Sequence, residues 1–170
     1  AYTITHAIED KNVLKFHVDY FKPEGKYKPK AGEPLAQQAI AEAILEKHEA
    51  VTNGRRFNAL FATASINDAV AYYHQFKNLQ AQRTATDETY VPLNVACVFS
   101  PPVDAIAKES DTKNAADIKQ LQDDLPQEKA DNAVAPEEKK LALKTIISDY
   151  NQYYGTNHTI GEFDLYYQNV

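Results

Sequence analysis

The fold class is decided by the stretch Phe57-Asn-Ala-Leu-Phe-Ala-Thr63, a short apolar run with almost no polar breaks. A run of this kind is typical of a strand that is buried on both faces of a parallel sheet. It leads into Ser65-Ile-Asn-Asp68, an S-x-x-D signal for a helix start, and apolar residues keep helical spacing after it. A second apolar run is Asn94-Val-Ala-Cys-Val-Phe99. Two buried strands joined through an amphipathic helix predict a βαβ unit with parallel strands and a right-handed crossover.

Residues 1–32 are predicted to form an N-terminal strand followed by a basic linker. The strand is indicated by apolar residues that alternate with polar ones, at Leu14, Phe16, Val18 and Tyr20. Phe21–Gly32 holds two prolines, two glycines and four lysines, which indicates an exposed, solvated connection; a phosphate-contacting strip is the alternative. Pro34 then suits the first position of a helix, and Asn53-Gly54 suits its end.

Residues 33–170 are predicted to be one domain that contains an acidic insertion. Residues 101–140 carry ten acidic and six basic side chains, and their apolar residues are small and scattered. We therefore predict that roughly 101–135 is mobile or only briefly helical. Pro136 starts a firmer helix that Gly155 ends, and Thr159-Ile-Gly-Glu162 repeats the capping signal before a short last helix.

Composition excludes several classes of protein. The 170 residues suffice for one domain, and 44% apolar with 25% charged residues is close to the average of globular proteins. The net charge of −6 argues against a surface that binds nucleic acid all over, although a local basic site is compatible with it. No apolar run is long enough to span a bilayer. Cys97 is the only cysteine and no leader opens the sequence, so we expect a cytoplasmic protein without disulfides.

A search for a self-contained active site finds no catalytic, cofactor-binding or metal-binding motif. Neither the G-x-x-x-x-G-K-[ST] phosphate loop nor a G-x-G-x-x-G turn is present. The five histidines include no pair at the helical spacing of metal ligands. We interpret Cys97, in an apolar run, as a small core residue rather than a nucleophile. We interpret Glu137-Glu138-Lys139 as a charged helix start rather than as part of a nuclease site.

One candidate site remains, the turn Thr63-Ala-Ser65. It lies where the first predicted strand ends and the Ser65-capped helix begins. Open α/β sheets bind ligands outside the carboxyl ends of their strands, and the unpaired N–H groups of a helix start favour a phosphate. We therefore expect Thr63, Ala64 and Ser65 to contact phosphate, with simple N-capping by Ser65 as the alternative.

Several blocks of the sequence resemble the R subunit of type I restriction enzymes. Tyr2–Asp10, continuing into Val13–Tyr20, resembles a segment that follows the family's first motor domain. Phe57–Tyr73 resembles the opening strand and helix of its second motor domain, and Asn94–Ser100 resembles the next strand. The block Asp149-Tyr-Asn-Gln-Tyr-Tyr-Gly-Thr-Asn157 is similar to a block that precedes the remaining helicase motifs of that domain.

The resemblance implies a fold, an activity and partners. The fold is an incomplete RecA-like layer sandwich of helicase superfamily 2, with a parallel sheet. The parent polypeptide would be an ATP-dependent DNA translocase and endonuclease that uses ATP and Mg²⁺, acts on double-stranded DNA and assembles with methyltransferase and specificity subunits. Of the family's functional positions only the strand-to-helix turn maps here, where similar motors touch the DNA backbone, at Thr63, Ala64 and Ser65. The motifs for ATP hydrolysis and DNA cleavage are absent, so this chain alone is predicted to be inactive.

Two other functions stay open at this stage. The first is a non-catalytic cytoplasmic α/β interaction domain that binds phosphate or peptide at the carboxyl edge of its sheet. The second is a small enzyme whose site the sequence does not reveal. Flanking sequence separates them, because an upstream phosphate loop and a downstream arginine motif would favour the motor.

Overall fold

The computed structural model of the chain describes residues 3–12, 30, 32–103 and 112–170, and most of these residues are helical. The helices are α1 (Ile4–Glu9), α2 (Pro34–Val51), α3 (Ile66–Thr86), α4 (Thr112–Asp124), α5 (Pro126–Ala133), α6 (Pro136–Tyr154), a 3₁₀ helix (Ile160–Glu162) and α7 (Phe163–Asn169). Helix α2 packs on α3, α5 packs on α3, α4 and α6, and the 3₁₀ helix packs on α6 and α7.

The helix ends follow the local signals of the sequence. Pro34 occupies the first turn of α2, and Ser65 caps α3 by accepting a bond from the Asp68 N–H, as the sequence predicts. Gly155 ends α6 in the left-handed conformation with φ of 65°, which glycine adopts without a steric penalty. Thr159 behaves differently, because it makes no capping bond to a backbone N–H and instead donates from Oγ1 to Glu162.

Two apolar clusters hold the helices together. The larger one is built mainly by α3, α6 and α7. Its buried members are Ile66, Tyr73, Phe99, Ile118, Leu143, Ile146, Ile147, Tyr150, Ile160, Phe163 and Tyr166. The smaller one lies between α2 and α3, with Ala41, Leu45, Tyr72, Phe76 and Leu79 buried. Val95 contacts both clusters, so the segment after α3 joins them into one core.

The predicted parallel sheet is not observed, and the α/β, RecA-like fold class is wrong for this structure. No strand occurs in residues 3–12, 32–103 or 112–170, although 57–63 and 94–99 both lie outside helices. The first run is not buried on both faces: Leu60 is 99% exposed and Phe57 is 65% exposed. Only Phe61 packs inward, with its ring edge-on to Tyr72 at 4.9 Å. The helix between the two runs forms as predicted, but the βαβ unit around it does not.

Side chains from helices bond the backbone at Cys97 in the second run and at Leu93 and Ser100, which flank it. The Gln80 side chain of α3 bonds both backbone groups of Leu93. The Tyr166 hydroxyl of α7 donates to the Cys97 carbonyl at 2.8 Å. Glu128 and Asn132 of α5 bond the N–H and the carbonyl of Ser100 at 2.7 Å each. Buried backbone groups need partners, and here they find them without a ladder of strands.

The expected insertion at 101–135 includes two helices in its described part, α4 and α5. Ile118 is buried in the larger cluster, and Gln122 Nε2 donates to the Pro101 carbonyl at 2.6 Å. The mobility of roughly 101–135 stays a prediction. The strand expected at 14–20 and nearly all of the basic linker at 21–32 lie outside the described residues.

No helix in the described ranges combines the length and the apolar character that a membrane span requires.

Candidate functional site

The turn Thr63–Ser65 is closed by short-range hydrogen bonds that shape the start of α3. Thr63 Oγ1 donates to the Ser65 carbonyl at 3.1 Å. Ser65 Oγ accepts the Asp68 N–H at 3.0 Å and donates to Asp68 Oδ2 at 2.9 Å. Gln37 Nε2 of α2 donates to the other carboxylate oxygen at 2.9 Å. The turn is therefore a fixed structure in which Thr63 and Ser65 are half-buried and Ala64 is exposed.

Two acidic side chains of α5 bond the backbone next to this turn. Asp131 Oδ2 accepts the Ile66 N–H at 2.9 Å, across 65 residues of sequence. Glu128 Oε2 accepts the Ser100 N–H at 2.7 Å. Thr63, Ala64 and Ser65 also line a cleft of about 310 Å³ with Glu128, Pro126 and Phe99. The cleft thus lies between the start of α3, the start of α5 and the end of the 94–99 run.

Two features predicted phosphate binding at this turn, the carboxyl edge of a sheet and the start of a helix, and only the helix start is observed. Because no strand precedes Thr63 among the described residues, the sheet whose carboxyl edge would hold the turn is not observed. The helix start remains, and helix starts favour anions, but here the Ile66 and Asp68 N–H groups already bond Asp131 and Ser65. Capping by Ser65 is observed and phosphate contact by Thr63, Ala64 and Ser65 stays a prediction.

Sequence reasoning missed Glu128 and Asp131 as members of the site. Both lie in a segment that the sequence shows only as acidic and poor in large apolar residues. Their bonds to Ser100 and Ile66 span 28 and 65 residues, so no local motif connects the partners. The sequence shows that residues 101–140 hold more acidic than basic side chains. It does not show which part of the fold these acidic side chains contact.

The other residues weighed for chemistry are structural. Burial raises the pKa of the Cys97 thiol to about 12, so it is protonated at neutral pH and packs against the larger cluster. Glu137 and Glu138 lie in the first turn of α6, where carboxylates suit the helix dipole. Within the described residues, no group of three or more His, Cys, Asp or Glu side chains is arranged to hold a metal ion.

A second cleft, of about 530 Å³, lies between the end of α2 and the segment after α3. Arg55 shares its wall with Glu46, Glu49 and Asp87, so its charges are mixed. His48 also lines it, and its Nδ1 is buried without a hydrogen-bond partner among the described residues. With three carboxylates beside one arginine, this wall does not favour an anionic ligand.

Comparison with known proteins identifies the family. The family model described as type I restriction enzyme subunit R domain 3 matches residues 55–170, which include the Thr63–Ser65 turn. The chain belongs to this family. It is thus part of an R subunit of a type I restriction enzyme, as the resemblance of its blocks predicts.

Curated relatives of this R-subunit domain are much longer than the chain. A type I restriction enzyme endonuclease subunit of Staphylococcus aureus strain MRSA252, SauMRSORF196P, is 26% identical over 184 aligned residues, which cover 99% of this chain and 17% of the relative. The SauCOLORF180P endonuclease subunit of strain COL is 25% identical with the same coverage. The SsaAORF53P endonuclease subunit of Staphylococcus saprophyticus is 26% identical over 170 residues, which cover 91% of this chain and 15% of the relative. The chain therefore spans about a sixth of the length of the relatives it matches.

Residues 149–157, one of the blocks that carry the R-subunit resemblance, form the end of α6 and the turn after it. Asp149 Oδ2 accepts the Tyr73 hydroxyl at 2.6 Å and the Lys77 ammonium at 2.5 Å. Asn151 accepts from the His158 N–H at 2.9 Å and donates to its carbonyl at 2.8 Å. These residues fasten α6 to α3 and fix the turn that leads to α7. In this structure the block holds the fold together.

Proposed function

We propose that this chain is a DNA-contacting part of the motor of a type I restriction endonuclease subunit, one that moves along double-stranded DNA while the parent polypeptide hydrolyses ATP. The observation that carries the proposal is the family match over residues 55–170. The relatives named as endonuclease subunits support it, because they align with nearly the whole chain. The proposed contact is the turn Thr63–Ser65 at the start of α3, in which Ala64 is exposed.

The parent polypeptide is proposed to use ATP and Mg²⁺ and to work with methyltransferase and specificity subunits. This chain carries no phosphate loop, so the nucleotide would be held by other parts of the parent polypeptide. A contact from backbone N–H groups and hydroxyls to DNA phosphates positions a duplex without distinguishing its sequence. Recognition of a particular DNA sequence would then belong to the specificity subunit, and this chain would act alike on all sequences.

Ala64 offers a direct test of the DNA contact. Its side chain is exposed in the middle of the turn, so substitution there leaves the bonds of Thr63 and Ser65 in place. In the complete endonuclease subunit, we expect Ala64→Asp to weaken binding to duplex DNA severalfold, because like charges about 4 Å apart in water repel by about 1 kcal/mol. Ala64→Lys should tighten binding by a similar factor. Affinity is measured on duplexes of unrelated sequence at one salt concentration.

Ala64→Asn is the matched control, since it has the size of Asp and no charge. It should bind DNA as the wild-type subunit does. If Ala64→Asp and Ala64→Asn bind equally well, the turn does not face a phosphate and the proposed contact is wrong. Thermal unfolding of all three variants, measured alongside, separates a loss of binding from a loss of fold.

A non-catalytic role as an interaction domain is the second candidate, and one observation favours it. Phe57 and Leu60 expose large apolar side chains on the segment before the turn. Exposed apolar groups that lie close together often mark a protein contact. In this case the Ala64 variants would leave DNA binding unchanged, while Leu60→Ser would weaken assembly with the other subunits.

A further inference from the structure

The first turn of α3 already holds an anionic group of the same chain. The Ile66 N–H is the first backbone donor of the helix and has no partner within it. It donates instead to Asp131 Oδ2 of α5 at 2.9 Å. Asp131 is half-buried in this contact. The carboxylate therefore occupies the place that the helix start offers to a negative charge.

Two further bonds fix α5 in this position. Glu128 Oε2 accepts the Ser100 N–H, and Asn132 Nδ2 donates to the Ser100 carbonyl, each at 2.7 Å. Asn132 is buried, whereas most of the surface of α5 is exposed. Helix α5 has only eight residues and contributes no buried apolar side chain of its own. Polar contacts, two of them from carboxylates, thus hold it beside the turn.

We propose that α5 is an autoinhibitory element that covers the DNA contact at the start of α3. The Asp131 carboxylate takes the backbone N–H that a DNA phosphate would use, and Glu128 adds a second negative charge beside Thr63–Ser65. One N–H cannot serve a carboxylate and a phosphate at once, so DNA engages the turn when α5 moves away. This inference rests on the proposed function, because it needs the turn to face DNA.

Asp131→Asn in the complete endonuclease subunit tests the inference. The amide oxygen can still accept the Ile66 N–H, so the turn keeps its shape while the negative charge is lost. We expect the variant to bind duplex DNA of any sequence about threefold to tenfold more tightly than the wild type, because charge repulsion at the turn falls. Asp124→Asn is the matched control. It removes the same charge from an exposed position at the end of α4 and should change the affinity little.

Unchanged or weaker DNA binding by Asp131→Asn overturns the inference, and so does an equal gain for Asp124→Asn, which would reflect net charge alone. The Ala64 variants separate this failure from failure of the proposed function. If Ala64→Asp weakens binding while Asp131→Asn does nothing, the DNA contact stands and autoinhibition is wrong. If neither responds, the contact itself is wrong.

Hydrogen exchange in the wild-type subunit gives a readout that needs no variant. Saturating duplex DNA should speed amide exchange in Pro126–Ala133, because displaced α5 loses its contacts with Ile66 and Ser100. Exchange that is unchanged or slower there when DNA is bound overturns the inference, even if Asp131→Asn fails to fold.

Discussion

At the scale of single residues, Asp149 is a charged residue that joins two helices. Its carboxylate is 20% exposed and bonds Tyr73 and Lys77, which lie one helical turn apart on α3. Burial acts to raise the pKa of the Asp149 carboxyl, but the bonds from Lys77 and Tyr73 outweigh it, so the pKa lies below its usual value. Burial and the same hydrogen bond raise the pKa of the Tyr73 hydroxyl. The ionised Asp149 carboxylate thus links α6 to Lys77 and Tyr73 of α3.

Asp149→Asn should lower the free energy of unfolding at neutral pH by about 1 kcal/mol, the order of a half-exposed ion pair with a hydrogen bond. The sign of the pH dependence follows from the lowered pKa. The stabilisation by Asp149 is complete above about pH 4 and is lost as the pH falls through the lowered value. Urea unfolding between pH 7 and pH 3 should therefore show a steeper acid loss for the wild type than for Asp149→Asn.

Asp164→Asn is the control for Asp149, because Asp164 is an exposed carboxylate in the first turn of α7. The free energy of unfolding of Asp164→Asn should fall with acid as steeply as that of the wild type. Parallel acid curves for the wild type and Asp149→Asn would mean that the ion pair contributes nothing measurable.

For single residues, the sequence predicts contacts between residues that are three or four positions apart. Ser65 as the cap of α3 and Gly155 as the stop of α6 could be predicted, because each signal involves residues three or four apart. Asp131 could not, since a carboxylate that caps a helix 65 residues away leaves no pattern in the sequence. The candidate turn was thus found, and its acidic partners were not.

At the scale of elements, α2, α3, α6 and α7 were predicted from the sequence, whereas the strands predicted at 57–63 and 94–99 are not observed, and this difference has a physical reason. A helix satisfies its own backbone, so apolar spacing and caps suffice to indicate it. An extended run must find partners elsewhere, and composition does not say whether these are strands or side chains. Residues 94–99 look like a strand because they are apolar and rich in valine, yet Gln80 and Tyr166 side chains supply bonds along this part of the chain.

Limited trypsin digestion should cut 101–135 before it cuts α6. Both stretches hold lysines, including Lys119 and Lys129 in the first and Lys144 in the second. Ordering backbone costs about 1–2 kcal/mol per residue, and 101–135 has few large apolar groups to offset that cost, whereas α6 buries Leu143, Ile146 and Ile147. Mass spectrometry of the early fragments identifies the first cut. A first cut after Lys144, or equal protection of both stretches, would contradict the predicted mobility.

At the scale of the whole molecule, the chain has a core and a candidate DNA contact, and we predict that it transfers no phosphoryl group by itself. Its sequence holds no phosphate loop with its lysine, and its described residues form no acidic cluster that could hold Mg²⁺. Family membership was predictable from the resemblance of blocks such as Phe57–Tyr73, although identity to a relative is only 26% over the aligned residues. The fold class was not, because the same blocks adopt helices and unpaired extended segments here.

The purified 170-residue chain should therefore show no saturable ATP hydrolysis, with or without duplex DNA. A coupled assay for ADP release, run over a range of ATP concentrations in Mg²⁺, measures it. The chain boiled before assay provides the background rate. Turnover that saturates with ATP and rises when DNA is added would show that the chain contains a complete nucleotide site and is more than one part of a motor.

The exposed segment before the turn also affects how readily copies of the chain aggregate at high concentration. Phe57–Ala62 is uncharged, non-helical and rich in exposed apolar side chains, and such segments can template cross-β stacking between copies. Arg55 and Arg56 directly precede it, and both are exposed. Cationic residues at this position act as gatekeepers, since two copies that align their segments in parallel must bring like charges together. The arginine pair thus protects a surface that would otherwise favour aggregation at high concentration.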